Sequence, residues 1–262
     1  MAGFYIAMVV ALLIGVIFHE YGHMMAAKKF GIKVDKFCVG FGPMVWSKTG
    51  KDGTKYGVAP FPFGGYCMID EKTLDNRPLY QYVVVLLAGV VNNTILGLAF
   101  SFVGYCMLSF TSGQIPSIFD AIVSSFESLV SMFEQFWYIF TTFFNLKEIA
   151  SYGGVGTQIS TISGNFSHFE FNFLQYFALG IIVGGGLNFA LTVCNILPIP
   201  ALDGGQVVIK CFRSFMEKVF HVRIPRKVAD VINNFGFCFL LIYQGIICLC
   251  DIPEIQKMIM SL

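Results

Sequence analysis

Four predominantly apolar stretches of the chain contain no Asp, Glu, Lys or Arg: Met1 to His19, Pro78 to Phe119, Phe171 to Leu202 and Val231 to Cys250. Each is long enough for the roughly 20 residues that cross a bilayer core, and together they predict four transmembrane helices over about 3–27, 80–110, 172–200 and 231–250. Between the first two, the turn cluster KTGKDG (Lys48 to Gly53) separates the strand-like runs MVWS and TKYGVA. This predicts a membrane-associated β-hairpin or small sheet over 36–68. Its continuation APFPFGGYCM is apolar but broken by proline, which suits an edge strand or loop better than a helix interior or a central strand. Between spans two and three, Asp120, Glu127 and Glu134 recur every seven residues among Ile118, Ile122, Phe126, Leu129, Phe133, Phe136 and Phe140. That spacing predicts an amphipathic helix over about 116–146. Spanning would bury three carboxylates, so the helix is expected to lie in the membrane interface.

Composition agrees with this pattern. Of 262 residues, 56% are hydrophobic and only 13% charged, against about a quarter charged in soluble domains. The fold class is an α-helical polytopic membrane protein, and without repeats or a long linker residues 1–262 form one domain. No basic residue precedes Lys28 and no small-residue cleavage site follows the first run, so that run is expected to be a span and not a signal peptide. Fifteen of the seventeen basic residues lie in Lys28–Arg77 and Lys210–Lys227, whereas Thr111–Glu170 holds one Lys against five acidic residues. The positive-inside rule then puts the first two segments in the cytoplasm and the third outside. Both termini also face out. A net charge of +1 gives no reason to expect a nucleic-acid partner. None of the eight cysteines falls in the outer segment, so no disulfide framework is indicated. Cys248 and Cys250 point apart on a helix and read as apolar filler; His168 and His221, outside the spans, read as ordinary polar residues.

The chemistry is concentrated in HEYGH, residues 19–23, at the end of the first run. Residues four apart share a helix face, so His19 and His23 can bind one ion, most often zinc. Glu20 lies about 100° round the helix. It is poorly placed as a third ligand but can reach the attacking water as general base. Ionisable residues within a membrane helix are costly and usually functional. A catalytic zinc needs a third protein ligand and one open position. Asp203, the first acidic residue after Glu170, ends the third apolar run in NILPIPALDGG. With spans running in, out and in again, it reaches the same side of the membrane as the two histidines. A fifth span over 118–144 would leave it roughly 30 Å away.

HEYGH on the first span, VGFGP (Val39–Pro43), GTKY followed by FPFGGY (within Gly53–Tyr66), AGVVNN (Ala88–Asn93) and NILPIPALDGG (Asn195–Gly205) together resemble the site-2 protease family of intramembrane zinc metalloproteases, in its bacterial sigma-regulator branch. The resemblance implies one Zn²⁺ held by His19, His23 and Asp203, with Glu20 as catalytic acid and base and Asn195 holding the substrate backbone or oxyanion. It departs from the family at Val90, where Pro is usual, at Gly154, where GPVG is usual, and at Gln206, where LDGGH is common. It also lacks the PDZ domain that relatives often carry after the second span, since only about five residues, Thr111–Ile115, fill that place.

An intact transmembrane helix hides its amides, so cleavage requires unwinding and capture of the unwound strand. The Thr54–Met68 limb, ending in Gly64, Gly65, Tyr66 and Met68, is expected to pair with that strand. Asn93 is a further candidate substrate contact, with interhelical hydrogen bonding as its alternative. The expected activity is regulated intramembrane proteolysis of a single-span substrate in the cell membrane, after prior trimming. The substrate is an anti-sigma factor, a signal-peptide remnant or a peptide precursor. An upstream site-1 protease or a PDZ-bearing adaptor are partners the resemblance implies, beside membrane lipid. The rival reading is a membrane metal-binding or transport protein that uses the same ligands without hydrolysis.

Overall fold

The computed structural model of the chain describes residues 1–142, 170–249 and residue 252. In chain order its elements are helix α1 (Ala2–Lys29), strands β1 (Val34–Phe41), β2 (Trp46–Thr49), β3 (Lys55–Val58) and β4 (Phe61–Ile69), a short helix α2 (Glu71–Asp75), and helices α3 (Leu79–Thr111), α4 (Ile118–Thr142), α5 (Phe173–Ile196), α6 (Asp203–Phe220) and α7 (Arg226–Leu249). Helices α1, α3, α5 and α7 are long and apolar enough to cross a membrane. The third ends at Ile196, short of the predicted 200, because Pro198 and Pro200 cannot continue a helix. The fourth begins at Arg226, before the predicted 231, directly after Pro225, which suits a helix start. Gly154, His168, Cys250 and the predicted helical residues 143–146 lie outside the described residues. His221 ends α6 in a left-handed conformation and is exposed.

Small residues set how closely α1, α3 and α5 approach, as expected where lipid removes the hydrophobic drive for helix association. A Cβ on Gly180 would lie 2.3 Å from the Phe4 carbonyl oxygen, and one on Gly184 would lie 2.3 Å from the Ala11 methyl. Further along, the Gly15 gap receives the Asn188 amide, whose nitrogen donates to the Ala11 and Gly184 carbonyls. These contacts advance in step along both helices, so α1 and α5 run parallel. Helix α3 runs against them: Asn92 Nδ2 donates to the Phe18 carbonyl, Gly97 meets Phe189, and Gly104 meets Ile182. The last turns of α1 and α5 therefore reach the same end of the bundle.

The polar segment after α1 forms a four-stranded sheet in the order β2-β3-β1-β4. Strands β2 and β3 make the hairpin about the KTGKDG turn, Trp46 opposite Val58 and Thr49 opposite Lys55. Strand β1 then pairs parallel with β3 and antiparallel with β4. The Lys55–Val58 part of the predicted substrate-pairing limb is thus paired on both sides, and only β4 keeps a free edge facing the helices. Lys28, at the end of α1, holds the sheet through Asp52 and the Tyr56 hydroxyl, each at 2.5 Å. Beneath it, Met24, Ala27, Ile32, Val34, Phe37, Leu74 and Val85 form a buried cluster joining α1, β1, α2 and α3.

Helix α6 is not evident from hydrophobic runs because its face is mixed. It is anchored to α2 by ion pairs: Lys210 Nζ lies 2.8 Å from Asp75 Oδ1, and Arg213 grips both carboxylate oxygens at 2.9 and 3.1 Å. Burial would raise the Asp75 carboxyl, but hydrogen bonds from Lys210 and Arg213 outweigh it and hold it below its usual value. Its stabilisation is therefore complete above the unfolded value near about 4 and fades as pH falls through the lower folded value. Asp75→Ala is expected to cost about 1–3 kcal/mol at neutral pH, between the limits for exposed and buried pairs. Thermal melts of wild type and variant should converge as pH falls below the lowered folded value. A constant gap would show that Asp75 acts through packing instead.

Helix α4 packs lengthwise on the bundle. Ala121 and Ser125 are buried, the Ser128 hydroxyl lies 3.2 Å from that of Tyr105, and the Met132 methyl sits over Gly186. Gly186 is thirteen residues into α5, about 20 Å along it. A small, hydroxyl-bearing face thus docks the helix on α3 and α5, while Asp120, Glu127 and Glu134 stay exposed on the other side. In α7, by contrast, only Ala229 and Gly236 are buried. It is tied to the rest where Gly236 meets Pro200, where the Ala201 amide donates to Asn233 Oδ1 (3.3 Å), and where Arg226 pairs with Glu71 at 2.6 Å.

Candidate metal centre

The unbroken helix of α1 puts His19 and His23 one turn apart on a buried face. Their partner comes from the turn after α5. A Cβ on Gly204 would fall 2.1 Å from the Ile196 carbonyl oxygen, and one on Gly205 would fall 1.9 Å from that of Ile199. The DGG sequence is thus a packing requirement: the first turn of α6 presses on its own preceding turn, and Asp203 is delivered beside the histidines.

The three side chains converge closely. His19 Nε2 is 3.1 Å from His23 Nε2, and Asp203 Oδ2 is 3.2 Å from the first and 3.4 Å from the second. A tetrahedral ion with bonds of roughly 2.0–2.1 Å separates its ligand atoms by about 3.3–3.4 Å, so this triangle fits one metal with little movement. Although Oδ2 is buried, it accepts no well-directed hydrogen bond, its neighbours being the two imidazole nitrogens. Three potential ligand atoms facing one point form a candidate ligand set. Among the described residues this is the one group of three or more His, Cys, Asp or Glu able to hold an ion. Burial alone would raise the Asp203 carboxyl, but the imidazoles hold it down to about 2, ready to bind as carboxylate.

Helix α3 backs the site with one face at four-residue intervals. The Val85 carbonyl lies 2.8 Å from His23 Nδ1, Gly89 leaves the space that both rings occupy, and Asn93 Nδ2 lies 3.2 Å from His19 Nδ1. Any Cβ at Gly89 would lie 2.6 Å from His23 Nε2 and 2.7 Å from His19 Nδ1.

In front, the ligands and Glu20 open on a cavity of about 770 Å³, lined also by Tyr66, Cys67, Met68 and Ile69 of β4, by Asn195 and by Arg226. The Asp70 amide donates to the Lys33 carbonyl on the β1 side. Alternation along an antiparallel strand then turns the amides of Met68 and Tyr66 inward and those of Ile69, Cys67 and Gly65 toward the free edge. The Cys67 amide accordingly meets the Glu20 carboxylate. Burial and Glu20 push the Cys67 thiol up to about 12, so it stays protonated and outside the ligand set.

Among the residues expected to contact substrate, Tyr66, Met68 and Asn195 line the cavity. Asn195 Nδ2 donates back to the Leu191 carbonyl at 3.0 Å. Gly65 abuts Glu20, but Gly64 is packed under the Phe41 ring, and Asn93 is fully buried behind His19. Sequence reasoning missed Cys67, Ile69 and Gly89. Gly89 had a readable signal, a glycine one helical turn before an intramembrane asparagine.

A bundle of apolar helices with an HExxH pair brought against a distant aspartate is the arrangement of a multi-pass membrane protein able to hold a metal ion. The family model of Peptidase family M50 matches residues 7–243, and the chain belongs to that family. It is 34% identical over 102 residues to the regulator of sigma-E protease RseP of Escherichia coli, covering 34% of this chain and 23% of that one. It is 38% identical over 104 residues to the zinc metalloprotease Rip1 of Mycolicibacterium smegmatis, covering 34% and 26%. To the regulator of sigma E protease of Haemophilus influenzae it is 35% identical over 102 residues, covering 34% and 23%. These matches span about a quarter of the length of each relative.

Proposed function

We propose that this protein is a zinc-dependent intramembrane endopeptidase that hydrolyses a peptide bond in the transmembrane segment of a single-span substrate. The observation that carries this reading is the triangle of His19, His23 and Asp203 with Glu20 beside it, open to a cavity bounded by the free edge of β4. A zinc ion held by the three ligands supplies Lewis acidity, polarising a carbonyl and activating water. The chain's own groups do the rest. The edge amides of Gly65, Cys67 and Ile69 receive an unwound stretch of substrate as an added strand. Glu20 takes the proton from the attacking water and passes it to the leaving amine, and Asn195 faces the same cavity to steady the substrate carbonyl.

The positive-inside pattern supports a cytoplasmic position for the site, with both termini outside. Six residues, 112–117, join α3 to α4, leaving no room there for a PDZ domain. Selection is then by substrate size and ease of unwinding, on anti-sigma factors, signal-peptide remnants or peptide precursors already trimmed outside. The test uses purified protein in liposomes with a model single-span peptide, product masses and zinc flux being read together. Cleavage within the span that stops on chelation and returns with zinc is expected. Zinc flux with no cleavage would replace the protease reading with transport.

The edge-strand role has its own test. Proline at Cys67 or Ile69 removes an outward amide while leaving the ladder to β1 intact; because the Cys67 amide also meets Glu20, Ile69→Pro is the variant that isolates strand capture. Each is expected to lower cleavage at least about tenfold with zinc content unchanged, a loss of about 1.4 kcal/mol or more in transition-state binding. Met68→Pro should instead lower thermal stability, because its amide faces β1. Full activity in both outward-amide variants would remove strand capture from the mechanism.

A further inference from the structure

We infer that Asn93 is a positioning residue for the metal, its side-chain oxygen accepting the Nδ1 proton of His19 so that the Nε2 lone pair is left free to bind. This rests on the metal reading above and assigns Asn93 a role other than substrate contact. The argument starts from the tautomer. A neutral imidazole carries one proton, and a ring that ligates through Nε2 must hold it on Nδ1. For His23 the acceptor is fixed by the backbone, the Val85 carbonyl 2.8 Å from Nδ1. Among the described residues His19 has no such carbonyl partner. Its Nδ1 faces the Asn93 amide, on a side chain with no exposure at all, where a proton without an acceptor is costly.

A carboxamide can present either end. With nitrogen toward His19, as the 3.2 Å Nδ2 to Nδ1 contact has it, the ring proton sits on Nε2, where the ligand lone pair is needed, and Asn93 Oδ1 is buried without a partner. Turning the amide puts that unpartnered oxygen on Nδ1, moves the proton there and frees Nε2. The amide is thus a two-way support that matches the ring in either form, and metal binding selects the oxygen-first one. Glycine at position 89, one turn back on the same face, leaves both rings the room to sit where Val85 and Asn93 hold them.

The experiment measures zinc affinity by competition with a chromophoric chelator, in full-length protein in detergent, for wild type, Asn93→Leu and Asn93→Asp. Leucine keeps the volume but accepts no proton. Zinc binding is expected to weaken about ten- to a hundredfold, the usual effect of losing a partner behind a metal ligand. Aspartate offers only oxygens and is expected to bind zinc as tightly as wild type or tighter. Should the leucine variant not fold, Asn93→Ala carries the same expectation. Equal affinities for all three proteins, or equal losses for leucine and aspartate, would overturn the inference, the second by showing that Asn93 acts through packing. A wild type that holds no zinc would instead sink the metal reading, and this inference with it.

Discussion

Glu20→Gln is expected to keep about one zinc per chain and to lose hydrolysis by about 10²–10⁴-fold, the range for removing a general acid or base. Glutamine preserves the shape of the side chain and its place beside the Cys67 amide, but it cannot take a proton from water. The candidate ligand triangle of His19, His23 and Asp203 does not include residue 20. Zinc by elemental analysis and cleavage of the model peptide should therefore separate, the first unchanged and the second nearly abolished. A variant that loses zinc along with activity would make Glu20 part of the ligand shell. One that keeps both would move the base elsewhere.

Asp203→Ala should show the opposite pattern, with zinc and activity falling together. Loss of a ligand is expected to weaken zinc by more than the roughly 10–100-fold seen for partners one layer further out. The two remaining imidazoles, 3.1 Å apart, define an edge of the tetrahedron and no longer a face. Asp203→Glu gives a sharper version. Its extra methylene lengthens the arm by about 1.5 Å, and the helix start cannot retreat because Gly204 and Gly205 are already pressed on the Ile196 and Ile199 carbonyls. Glutamate should thus rescue zinc only weakly. Full zinc occupancy in the alanine variant would require another third ligand.

The sequence by itself determined the elements whose signals are local. Charge-free runs long enough for a bilayer mark α1, α3, α5 and α7, and the four-residue spacing of His19 and His23 places two ligands on one helix face wherever that helix goes. The turn cluster at Lys48–Gly53 likewise marks the β2–β3 hairpin, because turn chemistry acts over a few residues. Asp203 could be named as a candidate third ligand from the direction of the spans and the family resemblance, and the structure brings its carboxylate to 3.2 and 3.4 Å from the two imidazoles.

Tertiary structure alone decided the rest, because it depends on which surfaces meet. Strand β1 separates β3 from β4, so one strand of the predicted limb keeps a free edge, and alternation assigns outward amides to Gly65, Cys67 and Ile69 and inward ones to Tyr66 and Met68. No local pattern carries that information, since it is set by register with a strand more than twenty residues away. Helix α4 reads as interfacial from its acidic stripe. Its opposite face of Ala121, Ser125 and Ser128 is small enough to dock lengthwise on α3 and α5, and an amphipathic pattern does not say whether the less polar face meets lipid or protein. Asn93 is the sharpest instance. In sequence it is an intramembrane asparagine with two plausible uses, and only the tertiary fold brings it within 3.2 Å of His19, 74 residues away in the chain and one of the candidate metal ligands.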